Sequence, residues 1–505
     1  MRYIFLIIFI ALFTRLFWIN KIPPHLSNDE ISIAYDAYSI ANSGKDEHGK
    51  SWPLLFESHG TYKGPVYAYL LAPLVKIFGN SEVTVRIPSL LSGFLTIWLI
   101  GLITFELTKN IKTAYWAAGI LAASPYHIIV SRMALETNVA LFFLSLGIYL
   151  LLQNKKLGGV VALVLSMYTY YTEWVLVPLI FCLFIKKLKF KYSLLGAILS
   201  LPLLSDYFIS ASSGIRANSE LLWREAGFQP TIINIIYRFG QNYLSYFNPA
   251  YLFFNGNNLL PTGNPWQTGL FLWPMMVPFF IGLTKLNGIS KKYWWFFGGW
   301  LLISPVTASL THGGPNMMRN LNTIIPLVII MSLGAEKMKK WWWGLMGVAL
   351  IYFGLLYLVN YPIVRADSFQ GYKQVAQYIK TIEDTTDSIY IDYRFGDYRT
   401  GRGPEYFGVP HLYFGFFNSW DPKIIQNREK VDDGNKFGKY WIGQIDWNKD
   451  IYLKDRLYIV SMGNTPTPGA REKLSLEKVF DNFGGVRAFE VWRGEIKIPS
   501  VARGD

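Results

Sequence analysis

Charge is scarce in this 505-residue chain: Asp, Glu, Lys and Arg make up only 16% of it, against roughly 25% in an ordinary soluble domain. Cysteine is almost missing. Cys182 stands alone inside an apolar run, so no intrachain disulfide is possible and cysteine usage leaves the redox compartment unread. Acids are the rarer sign, 34 against 48 Lys and Arg, for a net charge of +14. Internal repeats and low-complexity tracts are also missing, which argues against an array or a disordered tail. What is abundant is apolar and aromatic, at 51% and 17% of the residues. Few charges and many Trp, Tyr and Phe suit a chain whose main solvent is lipid, with rings at the interfaces. The basic excess does not point to nucleic acid, because the lysines gather in short loops between apolar runs.

A spanning helix needs ~20 mostly apolar residues. Candidate spans fall near 2–20, 86–107, 113–131, 137–152, 157–172, 174–185, 192–209, 268–284, 293–311, 319–335 and 341–359, about eleven in all. The first is followed by no small-x-small cleavage site and reads as an uncleaved span rather than a signal peptide. With the N-terminus inside, the inner loops are 108–112, 153–156, 186–191, 285–292 and 336–340, and every one carries two or more lysines. Retention of Lys on the cytoplasmic side supports this orientation. Residues 65–79 decide the parity. They are apolar but short, with Pro65, Pro73 and Lys76 inside. Fifteen helical residues rise only about 22 Å, less than the hydrocarbon thickness. They are expected to lie on the outer face as an interfacial helix.

The expected fold is therefore mainly α. A polytopic helix bundle covers 1–359, with a first outer loop at 21–85 holding interfacial helices. The outer side also holds a turn near 132–136, a long loop at 210–267 and a turn at 312–318. The tail, 360–505, has another character: helix-like GYKQVAQYIKTIE, then strand-like DSIYIDYRF, LYIV and RAFEVWRG. Such alternation predicts a small extracytoplasmic α/β domain. Its turn-rich middle, 396–450, gives no clear pattern.

The chemistry-bearing residues collect on the outer side. Asp29 and Glu30 are adjacent acids just after the first span, in SNDEISIAYDAYSI. Ser27 and Glu30 also match a capping box, and Asp29 suits a helix N-terminus. A carboxylate pinned at a helix start is equally well placed as a base. Lys63 in TYKGPVYAYL and Arg86 in VRIPSLLSG are cations at headgroup depth. They either snorkel or grip a lipid phosphate, Arg as a planar fork and Lys as a point charge. Arg132 and Glu136 are four residues apart, the spacing of a helical ion pair. His312 and Arg319 enter in THGGPNMMRNLN. A lone His more often hydrogen-bonds than ligates a metal. Acids and cations away from the lysine loops thus share one face, and interfacial ionisable groups are costly enough to be functional candidates. A carboxylate beside phosphate-binding cations suits transfer from a glycosyl phosphate. The base takes the acceptor proton, and the cations, alone or with a divalent metal ion, stabilise the departing phosphate.

Across about 1–335 these segments resemble the protein O-mannosyltransferase type of GT-C glycosyltransferase. The resemblance is carried by NDE after the first span, KGP in place of a K/H-P-P motif, VRIPSLLSG and SPYHIIVSR with Glu136. It also runs through YFNPAYLFFNGNNLLPTGNPWQTGLFLWPMMVPFFIGL and HGGPNMMRNLNTIIPL. The lipid A aminoarabinose transferases are similar too. The resemblance implies a polyprenyl-phosphate sugar donor, inversion at the anomeric carbon, Asp29 as catalytic base and Glu30 as its neighbour. It also implies Arg86 and Lys63 near the lipid phosphate, and Arg132 and Glu136 lining the cavity. The chain departs from the family at Gly64-Pro65, where a double proline is usual, and at Glu136, where Asp is usual. It carries no MIR-like sugar-binding repeats between spans, and no resemblance covers the tail. The acceptor is an unidentified hydroxyl on a glycan, lipid or protein. A transporter or lipid-sugar flippase is the alternative class, marked by inverted repeats and charges at mid-membrane depth. Only Arg15, inside the first span, fits that pattern. A non-catalytic scaffold displaying the tail is a third possibility.

Overall fold

The computed structural model describes residues 2–58, 60–209, 220–225, 227–256, 268–364, 370–397, 402–431, 434–448 and 455–495. Parts of the expected outer loop 210–267, of the GNNLLPTGNPWQ stretch and of the turn-rich middle of the tail lie outside these residues. The first two-fifths of the chain are a run of helices: α1 (Arg2–Leu16), α2 (Asn28–Ser43), α3 (Val66–Phe78), α4 (Glu82–Thr108), α5 (Ile111–Ala122), α6 (Pro125–Ser131), α7 (Glu136–Leu152), α8 (Lys156–Thr169), α9 (Glu173–Leu183) and α10 (Phe190–Ile209). A short hairpin, β1 (Phe56–Ser58) and β2 (Thr61–Lys63), precedes α3. Helices Ile232–Ser245, Met276–Leu283, Trp294–Ile303, Ile324–Ala335 and Lys340–Leu355 continue the series.

Each of the expected spans contains a helix, but many of the helices are short. Among the described residues two are long and apolar enough to cross a membrane, Glu82–Thr108 and Lys340–Ile363. A third arises if α6 and α7, bent by 110° at their break, count as one. The expected number is thus not reached by this measure. The physical reason is interruption. Pro125 stands at the start of α6, where the expected span 113–131 divides at Ala123–Ser124, because proline cannot continue a helix's hydrogen bonding. The expected span 293–311 divides at Ser304–Pro305 for the same reason. The segment 65–79 is indeed one short helix, α3, with Pro73 inside it.

The chain forms two compact units. One comprises 1–19, 53–70 and 86–360; the other comprises 20–52, 71–85 and 361–505. In the first, α7 and α8 pack closely. A Cβ on Gly159 would meet the Leu151 side chain at 2.6 Å, and one on Gly147 the Leu163 side chain at 2.7 Å. Small residues at such crossings let backbones approach.

The second unit is built on a seven-stranded sheet in the order β10-β11-β9-β3-β8-β7-β6. Its strands are β3 (Ser388–Asp392), β6 (Glu429–Val431), β7 (Gly434–Phe437), β8 (Tyr440–Gly443), β9 (Arg456–Ser461), β10 (Leu474–Asp481) and β11 (Arg487–Gly494), and a separate hairpin pairs β4 (Arg394–Asp397) with β5 (Arg402–Phe407). β3 runs parallel to both β8 and β9, and the outer pairs are antiparallel. The three strand-like stretches and the helix expected in the tail are all present, the last as Tyr372–Ile382. Leu457–Ser461 is buried at every position, as a central strand covered on both faces requires. Buried Asp392 at the end of β3 accepts from the Ile445 backbone at 3.0 Å and pairs with Arg394 at 2.6 Å.

α2 belongs to this second unit and is buried along most of its length, from Glu30 to Ile40. It packs on the helix Pro410–Phe417: Tyr38 meets Phe416 edge-on at 6.4 Å, and a Cβ on Gly415 would strike the Tyr35 ring at 2.7 Å. The Tyr38 hydroxyl donates to Trp420 O and the Tyr413 hydroxyl to Leu26 O, at 2.9 and 2.6 Å. Lys373 pairs with Glu82 at 2.7 Å. The helix that follows the first span is therefore held by the tail.

Candidate active site

The acid pair opens α2 through a complete capping box. The Ser27 side chain accepts from Glu30 N at 3.3 Å, and Glu30 Oε2 accepts from Ser27 N at 3.0 Å. Glu30 is fully buried, whereas Asp29 is exposed in the first helical turn. The two neighbours are thus unlike: one carboxylate is committed to the helix start, the other points outward at the positive end of the helix dipole. Tyr413 lies within electrostatic reach of both. Burial pushes its hydroxyl well up from the usual phenol range, and Tyr372, Glu30 and Asp29 add to that. No local signal in the tail marks Tyr413 beforehand.

In the first unit, three buried arginines converge on the C-terminal end of α1. The helix stops at Leu16, and Trp18 takes a left-handed backbone, φ 54°. The last carbonyls of a helix have no partner within it and carry negative partial charge. Arg132 donates to Thr14 O and Phe17 O at 3.0 and 2.9 Å, with its guanidinium 5.4 Å from the Tyr357 ring centre. Arg86 donates to Ile19 O at 3.3 Å. Arg86, expected near the lipid phosphate, and Arg132, expected to line the cavity, therefore reach carbonyls only two residues apart. From within α1, Arg15 donates to Ala122 O at 3.0 Å and to His127 Nδ1 at 2.9 Å, which leaves the proton on His127 Nε2. Arg15 from α1 and Arg132 from the end of α6 thus tie the two helices in opposite directions.

The other expected residues of this unit are positioned by other contacts. Glu136 begins α7 beyond the 110° bend, so it and Arg132 do not share one helix face as their spacing suggested. The next residue, Thr137, donates to Met318 O at 2.8 Å, which joins α7 to the turn of His312 and Arg319. Arg319 donates to His312 O at 3.3 Å, pairs with Glu220 and hydrogen-bonds Tyr171. Tyr246 takes the Asn316 N–H at 3.0 Å. Lys63 ends β2 opposite Phe56. Gly64 behind it lies so close to α8 that a Cβ would fall within 2.6 Å of Thr169 O and nearer still to Tyr168 O. That contact explains glycine where the resembling family has proline. Lys63, Arg86, Arg132, Glu136, His312 and Arg319 are in this unit, and Asp29 and Glu30 are in the other. Glu220, Tyr171 and Thr137 were not singled out from sequence. Glu220 sits in a loop without pattern, and the other two have the composition of ordinary span ends.

An apolar cavity of about 370 Å³ lies between α1, α4 and α5, lined by residues such as Ile8, Ala11, Phe94, Trp98 and Phe105. With Tyr115 the one titratable lining residue, it suits hydrocarbon rather than acid–base chemistry. Among the described residues no group of three His, Cys, Asp or Glu side chains is arranged to hold a metal ion.

Residues 5–167, about the first third of the chain, match the family model described as dolichyl-phosphate-mannose-protein mannosyltransferase. Among solved structures the chain is similar to ArnT from Cupriavidus metallidurans in its apo state, with 11% identity, coverage of 97% of this chain and 96% of that one, and a TM-score of 0.53. The same protein bound to undecaprenyl phosphate aligns at 12% identity, 97% of both chains and a TM-score of 0.53. No curated protein matches in sequence.

Proposed function

We propose that this chain is an inverting glycosyltransferase that moves a sugar from a polyprenyl-phosphate carrier to an acceptor hydroxyl at the outer face of the cell membrane. The observation that carries this reading is the pairing of Arg86 and Arg132 on carbonyls at the end of α1, inside the segment that matches the mannosyltransferase family. A guanidinium has five N–H donors in a fixed fork, so it can hold a carbonyl and a phosphate oxygen at once. The carrier bound to ArnT, undecaprenyl phosphate, supports a donor of this class. The basic inner loops support an outward-facing site.

In the proposed step Asp29 accepts the proton of the acceptor hydroxyl. The hydroxyl oxygen attacks the anomeric carbon from the face opposite the phosphate, and the glycosidic C–O bond to phosphate breaks. The electron pair leaves on the polyprenyl phosphate, whose charge Arg86, Arg132 and Lys63 stabilise. Glu136, His312 and Arg319 line the sugar side. Glu30 holds the helix start that fixes Asp29. Were a divalent ion bound, Asp29 would help to hold it, and the ion would supply Lewis-acid stabilisation of the departing phosphate. Purified protein in nanodiscs, offered polyprenyl-phosphate sugars and a pool of hydroxyl acceptors, tests the reading. Release of polyprenyl phosphate that depends on Asp29 supports it; equal release by Asp29→Asn removes the proposed base.

A further inference from the structure

The helix Ile232–Ser245 falls in a stretch that the sequence marks only as loop, and it presents three distinct faces. One packs on the chain. Buried Asn242 donates to Ser309 O and Thr311 O at 3.3 and 3.0 Å. A second flank is polar, with Gln241 exposed and Asn234 bonded to Gln229 O at 3.0 Å. The third is apolar and open: Ile232, Ile233, Ile236 and Leu244 are 77%, 79%, 65% and 68% exposed. With Tyr237, these residues fall within an arc of about 140° at 100° per residue, which also holds half-buried Tyr243, its hydroxyl donating to Leu302 O at 2.8 Å. Arg238, the one charge on the helix, is turned to Glu225 at 3.2 Å.

Its anchors fix its level. Ser309 closes the helix Val306–Ser309, at the end of the expected span 293–311. Leu302, in the same expected span and bonded to Tyr243, is itself 61% exposed. The open apolar face is thus continuous with the side of the expected span 293–311, and Asn242 ties it to the end of that segment. An amphipathic helix with one apolar face and one polar flank in that position matches the bilayer interface. We propose that Ile232–Ser245 lies in the membrane interface, with Ile232, Ile233, Ile236 and Leu244 inserted among the acyl chains and Gln241 toward water. The occupant of that face is lipid, and the inference rests on the membrane reading, not on the transfer reaction.

The single cysteine makes the test direct. In a Cys182→Ser background, nitroxide labels at Ile236→Cys, Ile233→Cys and, separately, Gln241→Cys report collisions with oxygen and with a neutral nickel chelate, for the full chain in phosphatidylcholine nanodiscs. The expected result is an oxygen-to-nickel collision ratio several-fold higher at 236 and 233 than at 241. A ratio at 236 and 233 equal to that at 241 would place the face in water and overturn the proposal. Exclusion of both reagents at those sites would mean that protein, such as a second copy, covers it, and would overturn it equally.

Discussion

Asp29 and Glu30 are adjacent acids that the structure treats differently, and exchanging each for its amide separates chemistry from architecture. Glu30 Oε2 accepts the Ser27 N–H at 3.0 Å from a fully buried position. Glu30→Gln keeps an oxygen able to accept that bond, so it should cost well under the 0.5–2 kcal/mol, roughly, that losing a cap costs. Glu30→Ala should cost about that whole amount. Asp29 is exposed in the first turn. Replacing it by Asn keeps the side chain's size and forfeits a helix-dipole contribution of about 0.3–1 kcal/mol, and the protein should fold and express normally. If Asp29 is the base, transfer falls by about 10²–10⁴-fold, the range of general-base contributions. The assay is release of polyprenyl phosphate from a labelled donor, run beside a thermal-shift measurement on the same preparations. Expected are a dead, stable Asp29→Asn and an active Glu30→Gln. An Asp29→Asn variant that turns over within threefold of the parent, or a Glu30→Gln variant as dead as it, refutes the division of labour.

Removing residues 361–505 strips Tyr38, Tyr35 and Leu26 of Trp420, Gly415 and Tyr413; transfer should be lost, and full activity of the truncated chain would show that the tail does not hold α2. Gly64→Ala drives a methyl into the carbonyls of Tyr168 and Thr169; a clear loss of Tm is expected, and an unchanged Tm would contradict that packing. Arg132→Lys loses the two-pronged grip on Thr14 O and Phe17 O; a higher KM for the lipid donor and a lower Tm should appear together. In the loop after α2, burial raises Glu47, but its hydrogen bond to His48 and the charges of His411 and Arg428 outweigh that and hold it below the usual value of 4.5. A depressed carboxylate stabilises the fold above its unfolded value and loses that contribution as pH falls through the folded one. Stability should therefore drop as pH falls below 4.5, and Glu47→Gln should flatten that part of the profile; a profile identical to the parent's would contradict the assignment.

Much of this was legible in the residues because the signals are local. The capping box S-x-x-E gives the start of α2, apolar runs give the helices, and alternation gives β3, β9 and β11. The residues now grouped at the end of α1 and in the turn of Arg319 were recognisable as unusual because charge is costly beside lipid. Three things were not legible. Prolines at 125 and 305 divide expected spans, since a hydropathy run does not register a broken hydrogen-bond ladder. The burial of α2 against Pro410–Phe417 depends on contacts nearly 400 residues apart in the chain, which no window contains. The helix Ile232–Ser245 alternates apolar and polar residues too finely for a hydropathy run, and only its open face reveals what it is.

The most direct measurement is a cryo-EM structure of the full chain in nanodiscs with a polyprenyl phosphate. Density for the phosphate within hydrogen-bonding reach of the Arg86 or Arg132 guanidinium, with the Asp29 carboxylate facing the position of the sugar, is the expected result. Phosphate density among the lysine loops, or beside the arginines with Asp29 remote from it, would contradict the assignment.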